Sequence, residues 1–183
     1  MNKLFKIILY IIIRIKKFIY YNASTAKLKC KIVQPVIARG EGWIDINKTV
    51  VLGVERSPFF LCNYIYIDAR KKGSLIKIDD NCIINNNARI ISNGSKIHIK
   101  RNCLIGYNFE VIDSDFHSIS VNEKVINRGV EIGENVFIGN NVIILKGVIV
   151  GDNSVIGNGS VVTKNIDSNT IVGGNPAMVI KQK

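Results

Sequence analysis

The feature that most constrains this chain is a period of six residues. In the run VEIGEN-VFIGNN-VIILKG-VIVGDN-SVIGNG-SVVTKN, the third position holds Ile132, Ile138, Ile144, Val150, Ile156 and Val162. Two positions earlier stand Val130, Val136, Val142, Val148, Ser154 and Ser160. The same phase is present upstream as Ile78, Ile84 and Ile90, and, after a slip at Gly94 to Lys96, as Ile99, Ile105 and Val111. Three positions after these twelve aliphatic residues lie Asn81, Asn87, Asn93, Asn102, Asn108, Ser114, Asn135, Asn141, Gly147, Asn153, Gly159 and Asn165. Asn and Gly tolerate the left-handed backbone region at least cost, so this column marks a bend every six residues. Each hexad is then a short strand plus a corner. Three hexads close a triangular coil, and successive coils stack by parallel pairing about 4.8 Å apart, with the aliphatic column filling the prism.

Composition supports a β-rich domain, because the apolar residues are mostly Ile and Val, which favour pleated structure. At 183 residues one structural domain with an extra arm is sufficient. The pattern divides the chain into a basic arm over 1–31, irregular early coils over 32–75, regular coils over 76–172 interrupted at 112–129, and a tail over 173–183. Cys82 and Cys103 take the small inward position of the hexad, so they are read as core thiols. No C-x-x-C pair occurs among Cys30, Cys62, Cys82 and Cys103, which argues against a zinc or redox motif.

The formal charge of +11 would suggest nucleic acid if it covered one face of the fold. Instead, eight of the 25 cations and none of the 14 acids fall in residues 1–31, leaving +3 for the remainder. No nucleic-acid partner is expected. The opening MNKLFKIILYIIIRIKKFIYYN has an uncharged apolar run only from Ile7 to Ile13, too short for a spanning helix. Arg14, Lys16 and Lys17 stand where a signal-peptide cleavage site would lie, so the segment is read as retained and the compartment as cytoplasmic. Leu4, Ile7, Ile8, Ile11, Ile15, Phe18 and Ile19 recur at helical spacing, which predicts an amphipathic helix. It would lie on a membrane surface, as a peripheral contact, or pack on its own oligomer.

The run from Arg128 to Ala177, RGVEIGENVFIGNNVIILKGVIVGDNSVIGNGSVVTKNI followed by GGNPA, resembles the hexapeptide-repeat acyltransferases of the left-handed parallel β-helix class. Maltose, galactoside, serine and surface-polysaccharide O-acetyltransferases carry similar coils. The resemblance, not the period, supplies the left-handed sense of the coil. It implies a homotrimer, acetyl-CoA as co-substrate in a groove between neighbouring prisms, a sugar acceptor, and no required metal. Phe137, Gly139, Lys146, Gly157, Asn158, Thr163, Lys164, Asn175, Pro176 and Lys181 match positions that face the coenzyme in such enzymes. Phe137 stands where the family often has Trp, and Asn158 where it often has Ala. Lys164, with Lys146 or Lys181, is expected to meet the coenzyme phosphates.

One break in the repeat matches the catalytic loop of that family. Val111 and Ile132 are 21 positions apart, and between them runs VIDSDFHSISVNEKVINRGVEI, which contains His117. The DSDFHSI string is similar to the active-site segment of capsule and sialic acid O-acetyltransferases. The chemistry agrees, because a neutral imidazole can take the proton of a sugar hydroxyl as it attacks a thioester. Asp113 or Asp115 is expected to orient the ring. Asn85 falls where the family often places an active-site Asn. His98, in the strand KIHIK, is expected to point outward as a surface residue. Two enzyme readings stay open, O-acetylation of a sugar and N-acetylation of an amino sugar nucleotide, beside a non-catalytic β-helix scaffold. A γ-type carbonic anhydrase would need three histidines per site, and the chain has two.

Overall fold

A computed structural model describes residues 3–118 and 124–183. Positions 119–123, inside the expected loop 112–129, and positions 1–2 of the basic arm lie outside the described residues. The hexads wind into a left-handed parallel β-helix with three faces. The first face stacks Lys31–Ile32, Val51–Leu52, Ile83–Ile84, Leu104–Ile105, Phe137–Ile138, Val155–Ile156 and Thr170–Gly173, and ends on the antiparallel strand Met178–Gln182. The second stacks Val36–Gly40, Ile65–Ala69, Arg89–Ser92, Glu110–Ile112, Ile143–Ile144 and Val161–Val162. The third stacks Trp43–Ile46, Leu75–Ile78, Lys96–Ile99, Val130–Ile132 and Ile149–Val150. Below, the first edge is the corner between the first and second faces, and the second edge the corner between the second and third.

The inward column is the core. Ile84, Ile90, Ile99, Ile132, Ile138 and Ile144 are completely buried, each contributing roughly 1.5–3 kcal/mol of hydrophobic stabilisation. Cys82 and Cys103 are buried free thiols at the smaller inward position two residues before Ile84 and Ile105, and Cys82 donates to the Lys100 carbonyl at 3.0 Å. Contact with Cys82, reinforced by burial, pushes the Cys103 thiol up, so it stays protonated.

Asn81, Asn87, Asn102, Asn108, Asn135, Asn141 and Asn153 all have φ between 56° and 62°, which fits their assignment as corners. Their amides form ladders from coil to coil. Asn87 Nδ2 donates to Asn108 Oδ1 at 2.9 Å, and Asn108 Nδ2 donates to Asn141 Oδ1 at the same distance. The column departs from the expected phase where a corner is lengthened. Positive φ falls on Gly94 and Asn169 where Asn93 and Asn165 were expected, and on Phe116 near Ser114.

The early coils belong to the same prism. Val36 pairs with Ile65, Trp43 with Leu75 and Val51 with Ile83, in register with the later turns. The sequence phase is lost there because residues 53–64 leave the first edge as an insertion, not because the architecture changes. That insertion is held by buried Asn86, whose Oδ1 accepts from Val54 N at 2.9 Å and whose Nδ2 donates to the Val54 and Pro58 carbonyls.

Helix α1 (Lys3–Ala23) packs on the first coil. Ile13 is buried, the Tyr20 and Tyr64 rings meet edge to face at 5.1 Å, and Ser24 Oγ accepts from Ala38 N at 3.0 Å. Among the described residues no helix is long and apolar enough to cross a membrane.

Candidate active site

The excursion that carries His117 leaves the second edge and is fixed at both ends. Asp113 is fully buried. Its carboxylate accepts from Ser92 Oγ at 2.6 Å, Asn93 N at 2.7 Å and Ser95 N at 3.1 Å, and its carbonyl accepts from Arg128 N at 2.8 Å. Ser114 bridges Asn127 in antiparallel fashion, so the outgoing and returning strands of the loop are tied together. Beyond this neck the chain makes a γ-turn, in which His117 N donates to the Asp115 carbonyl at 2.7 Å across Phe116, whose φ is 60°. A bulky residue adopts that backbone at a cost of roughly 1–3 kcal/mol and only where its surroundings impose it. Here Ser114 Oγ accepts from Phe116 N at 2.9 Å, and the Arg70 guanidinium covers the Phe116 ring at 4.9 Å. Arg70 is itself steadied by Nε donation to Asp68 Oδ2 at 3.1 Å. The strained turn leaves the His117 side chain exposed.

Neither aspartate is engaged with the His117 ring. Asp113 spends its oxygens on the corner at Ser92–Ser95, and so acts as the clamp of the loop neck. Asp115 forms an ion pair with Lys146 of the next coil. Lys146, expected to meet a coenzyme phosphate, thus has a carboxylate of the loop as its partner here. Alternation along an extended loop would have put Asp113 and Asp115 on one face. The neck at Ser114 and the turn at Phe116 separate them.

A second feature lies on the first edge, where a groove of about 260 Å³ is lined by Asn85, Leu104, Phe137, Gly139, Asn140 and Asn158 among others. Four residues singled out from sequence, Asn85, Phe137, Gly139 and Asn158, therefore share one site. Ile83, Leu104 and Phe137 form an exposed apolar column leading into it. A Cβ on Gly139 would stand 2.5 Å from Asn158 Oδ1 and 2.8 Å from Asn158 N, so only glycine lets the next coil close over this corner. Asn158 uses that space to accept from Asn140 N at 2.7 Å, and Asn140 Oδ1 in turn accepts from Tyr107 N at 3.1 Å. Asn158, where the family often has Ala, thus serves as a corner clasp. Asn85 is tied locally, accepting from Asn86 N at 2.7 Å, on the other edge of the prism from His117.

The remaining candidates divide between the two edges. Gly157 lies at the corner above Gly139, its N donating to the Val172 carbonyl at 2.8 Å. The turn containing Asn175 and Pro176, joined by a cis peptide, folds over the start of the second face, with Val161 N donating to the Gly174 carbonyl at 3.0 Å. Lys181 is exposed on the last strand of the first face. Thr163 and Lys164 are exposed on the second edge, the same edge as Lys146 and His117. His98 is half-buried on the third face, its Nε2 at 2.8 Å from Asp79 Oδ2. Burial of Asp79 opposes ionisation, but hydrogen bonds from His98 and Lys77 hold its carboxyl below the usual range. Arg70, Phe116 and the Asn86 clasp are the parts that sequence reasoning did not supply. Arg70 sits in the early coils, where insertions hide the period, and only the DSDFHSI string hinted that Phe116 has a special place.

The bacterial transferase hexapeptide family (six repeats) matches residues 129–164. The crystal structure of the polySia-specific acetyltransferase NeuO superposes with a TM-score of 0.68 at 30% identity, over 87% of this chain and 70% of that one. A maltose O-acetyltransferase from Clostridium difficile 630 superposes with a TM-score of 0.56 at 25% identity, over 95% and 83% of the two chains. A hexapeptide-repeat acetyltransferase from Vibrio cholerae, solved with acetyl coenzyme A, shares the fold at 20% identity with a TM-score of 0.55, over 94% and 87%. No curated protein matches the chain by sequence. Coil geometry and these likenesses together define an acyltransferase. The chain belongs to the hexapeptide-repeat acetyltransferases.

Proposed function

We propose that the protein transfers the acetyl group of acetyl-CoA to a sugar hydroxyl in a capsule, lipopolysaccharide or sialic acid pathway, with His117 as general base. The observation that carries this reading is the strained turn that turns His117 outward from a clamped loop while leaving its side chain exposed. Strained backbone that the surroundings over-determine is typical of a functional constraint. A positioned imidazole that takes the hydroxyl proton as the oxygen attacks contributes about 10²- to 10⁴-fold in rate. The likeness to a polysialic acid enzyme and a maltose enzyme supports a sugar acceptor.

The first-edge groove fits part of the donor. Phe137 and Leu104 offer an apolar wall, the Gly139–Asn158 clasp closes one end, and about 260 Å³ suits a slim pantetheine arm better than a whole coenzyme. His117 and this groove stand on different edges of one prism, with the second face, Glu110–Ile112 at this level, between them. A homotrimer resolves that separation if the first edge of one copy meets the second edge of the next, and the exposed column Ile83, Leu104 and Phe137 offers an apolar surface for such a contact.

The test is a panel of sugar and oligosialic acid acceptors incubated with acetyl-CoA and examined by mass spectrometry for acetylated products. Hydroxyl acetylation is expected, and His117→Ala should lower kcat by about 10²-fold or more with acetyl-CoA affinity retained. Acetylation confined to free amines would move the reading to an N-acetyltransferase. Near-normal turnover by His117→Ala would remove the general-base assignment.

A further inference from the structure

Helix α1 docks on its own prism through Ile13 and Tyr20 but leaves most of its apolar surface uncovered. On the side that faces the protein, two lysines lie flat against the first coils, Lys16 Nζ donating to the Leu61 carbonyl at 2.8 Å and Lys17 Nζ to the Ile32 carbonyl at 3.0 Å. On the opposite side, Ile7, Ile8, Ile11, Ile15 and Ile19 are all exposed, from 44% at Ile8 to 53% at Ile15 and Ile19. A helix stabilised only by docking on its own domain turns its apolar stripe inward. Side chains of this size, contiguous and about half exposed, make a patch of roughly 500 Å² or more, at the upper end of what monomeric soluble proteins display.

We infer that this stripe is a docking surface for an anionic lipid bilayer, on which the helix lies in the plane of the interface. Charge decides between a membrane and a second copy of the chain. Residues 1–31 hold eight cations and no acid, and Arg14 on the helix and Lys27, Lys29 and Lys31 just after it are exposed. Pairing two such segments would bring like charges together. A surface of anionic headgroups supplies the opposite charge and an apolar layer for the isoleucines at once. Arg14, Lys16 and Lys17 interrupt the apolar sequence, so the helix lies on the bilayer and does not cross it.

The experiment uses the full chain with vesicles of phosphatidylcholine alone and of phosphatidylcholine with phosphatidylglycerol, scored by co-sedimentation. Wild-type protein should bind the mixed vesicles, bind them less as salt rises, and leave the neutral ones in the supernatant. The double substitution Ile11→Glu and Ile15→Glu should weaken binding about tenfold or more. Ile11→Ser with Ile15→Ser, which adds no charge, should weaken it too, and helical circular dichroism should be retained in both variants. Equal binding by wild type and both variants would overturn the inference. So would indifference of the wild type to anionic vesicles, or a lipid-free assembly that both variants shrink, because the stripe would then be an interface between copies.

Discussion

Two aspartates that look equivalent in the string DSDFHSI do different work in the structure. Asp113 is buried under three hydrogen bonds, so Asp113→Ala leaves Ser92, Asn93 and Ser95 without their acceptor and should cost about 3 kcal/mol or more of stability. Asp115 pairs with Lys146, both side chains about a quarter exposed and so screened by solvent, an interaction worth about 1 kcal/mol, so Asp115→Asn should change unfolding little and lower kcat through a loosened loop. Urea denaturation beside steady-state kinetics separates the two, and the reverse ranking would show that the clamp has been misread. The corner asparagines give a second residue-scale expectation. Asn108 holds φ 56° and both accepts from Asn87 and donates to Asn141, so Asn108→Ala should cost about 1–2 kcal/mol. Asn108→Gly should cost less than Asn108→Ala, because it relieves the backbone while losing only the amide ladder.

At the scale of elements, the regular coils were legible because a hexad states its strand, its inward residue and its corner in one pattern. Ile84, Ile138 and Asn141 could be placed without coordinates for that reason. The early coils were not, since the twelve residues at 53–64 and the lengthened corner near Gly73 erase the phase while leaving the pairing of Val36 with Ile65 and Trp43 with Leu75 intact. The site was legible as residue types and not as partners. His117 stood out as the histidine on a break in the period, but the preference of Asp115 for Lys146 depends on which coil stacks above the loop, which local spacing does not encode. The groove adds a prediction of its own. Gly139→Ala places a Cβ within 2.5 Å of Asn158 Oδ1, so the clasp from Asn158 to Asn140 must shift, and KM for acetyl-CoA should rise several-fold more than kcat falls. An unchanged KM would mean that the donor does not use this corner.

At the scale of the whole molecule, a site divided between two edges can be tested by mixing. His117→Ala damages the second edge, and Asn158→Trp fills the groove on the first. Hetero-oligomers refolded from the two should recover activity that neither variant has alone if one copy completes the other's site, and should recover none if each prism works by itself. The stacking also limits how such a chain can change length. Phe137 rests beside Val155 exactly one coil, 18 residues, further on. Deleting a single hexad just before Phe137 would turn every later side chain through a third of a revolution, taking Phe137 off the column of Ile83 and Leu104 and carrying the glycine corner and the terminal Lys181 onto different faces. Loss or gain of three hexads together would keep each of them on its own face and only shift its height along the axis. Variation in a lineage built this way should therefore come in whole coils, or else be pushed out into loops such as 53–64, where the chain leaves the prism and returns to the same edge.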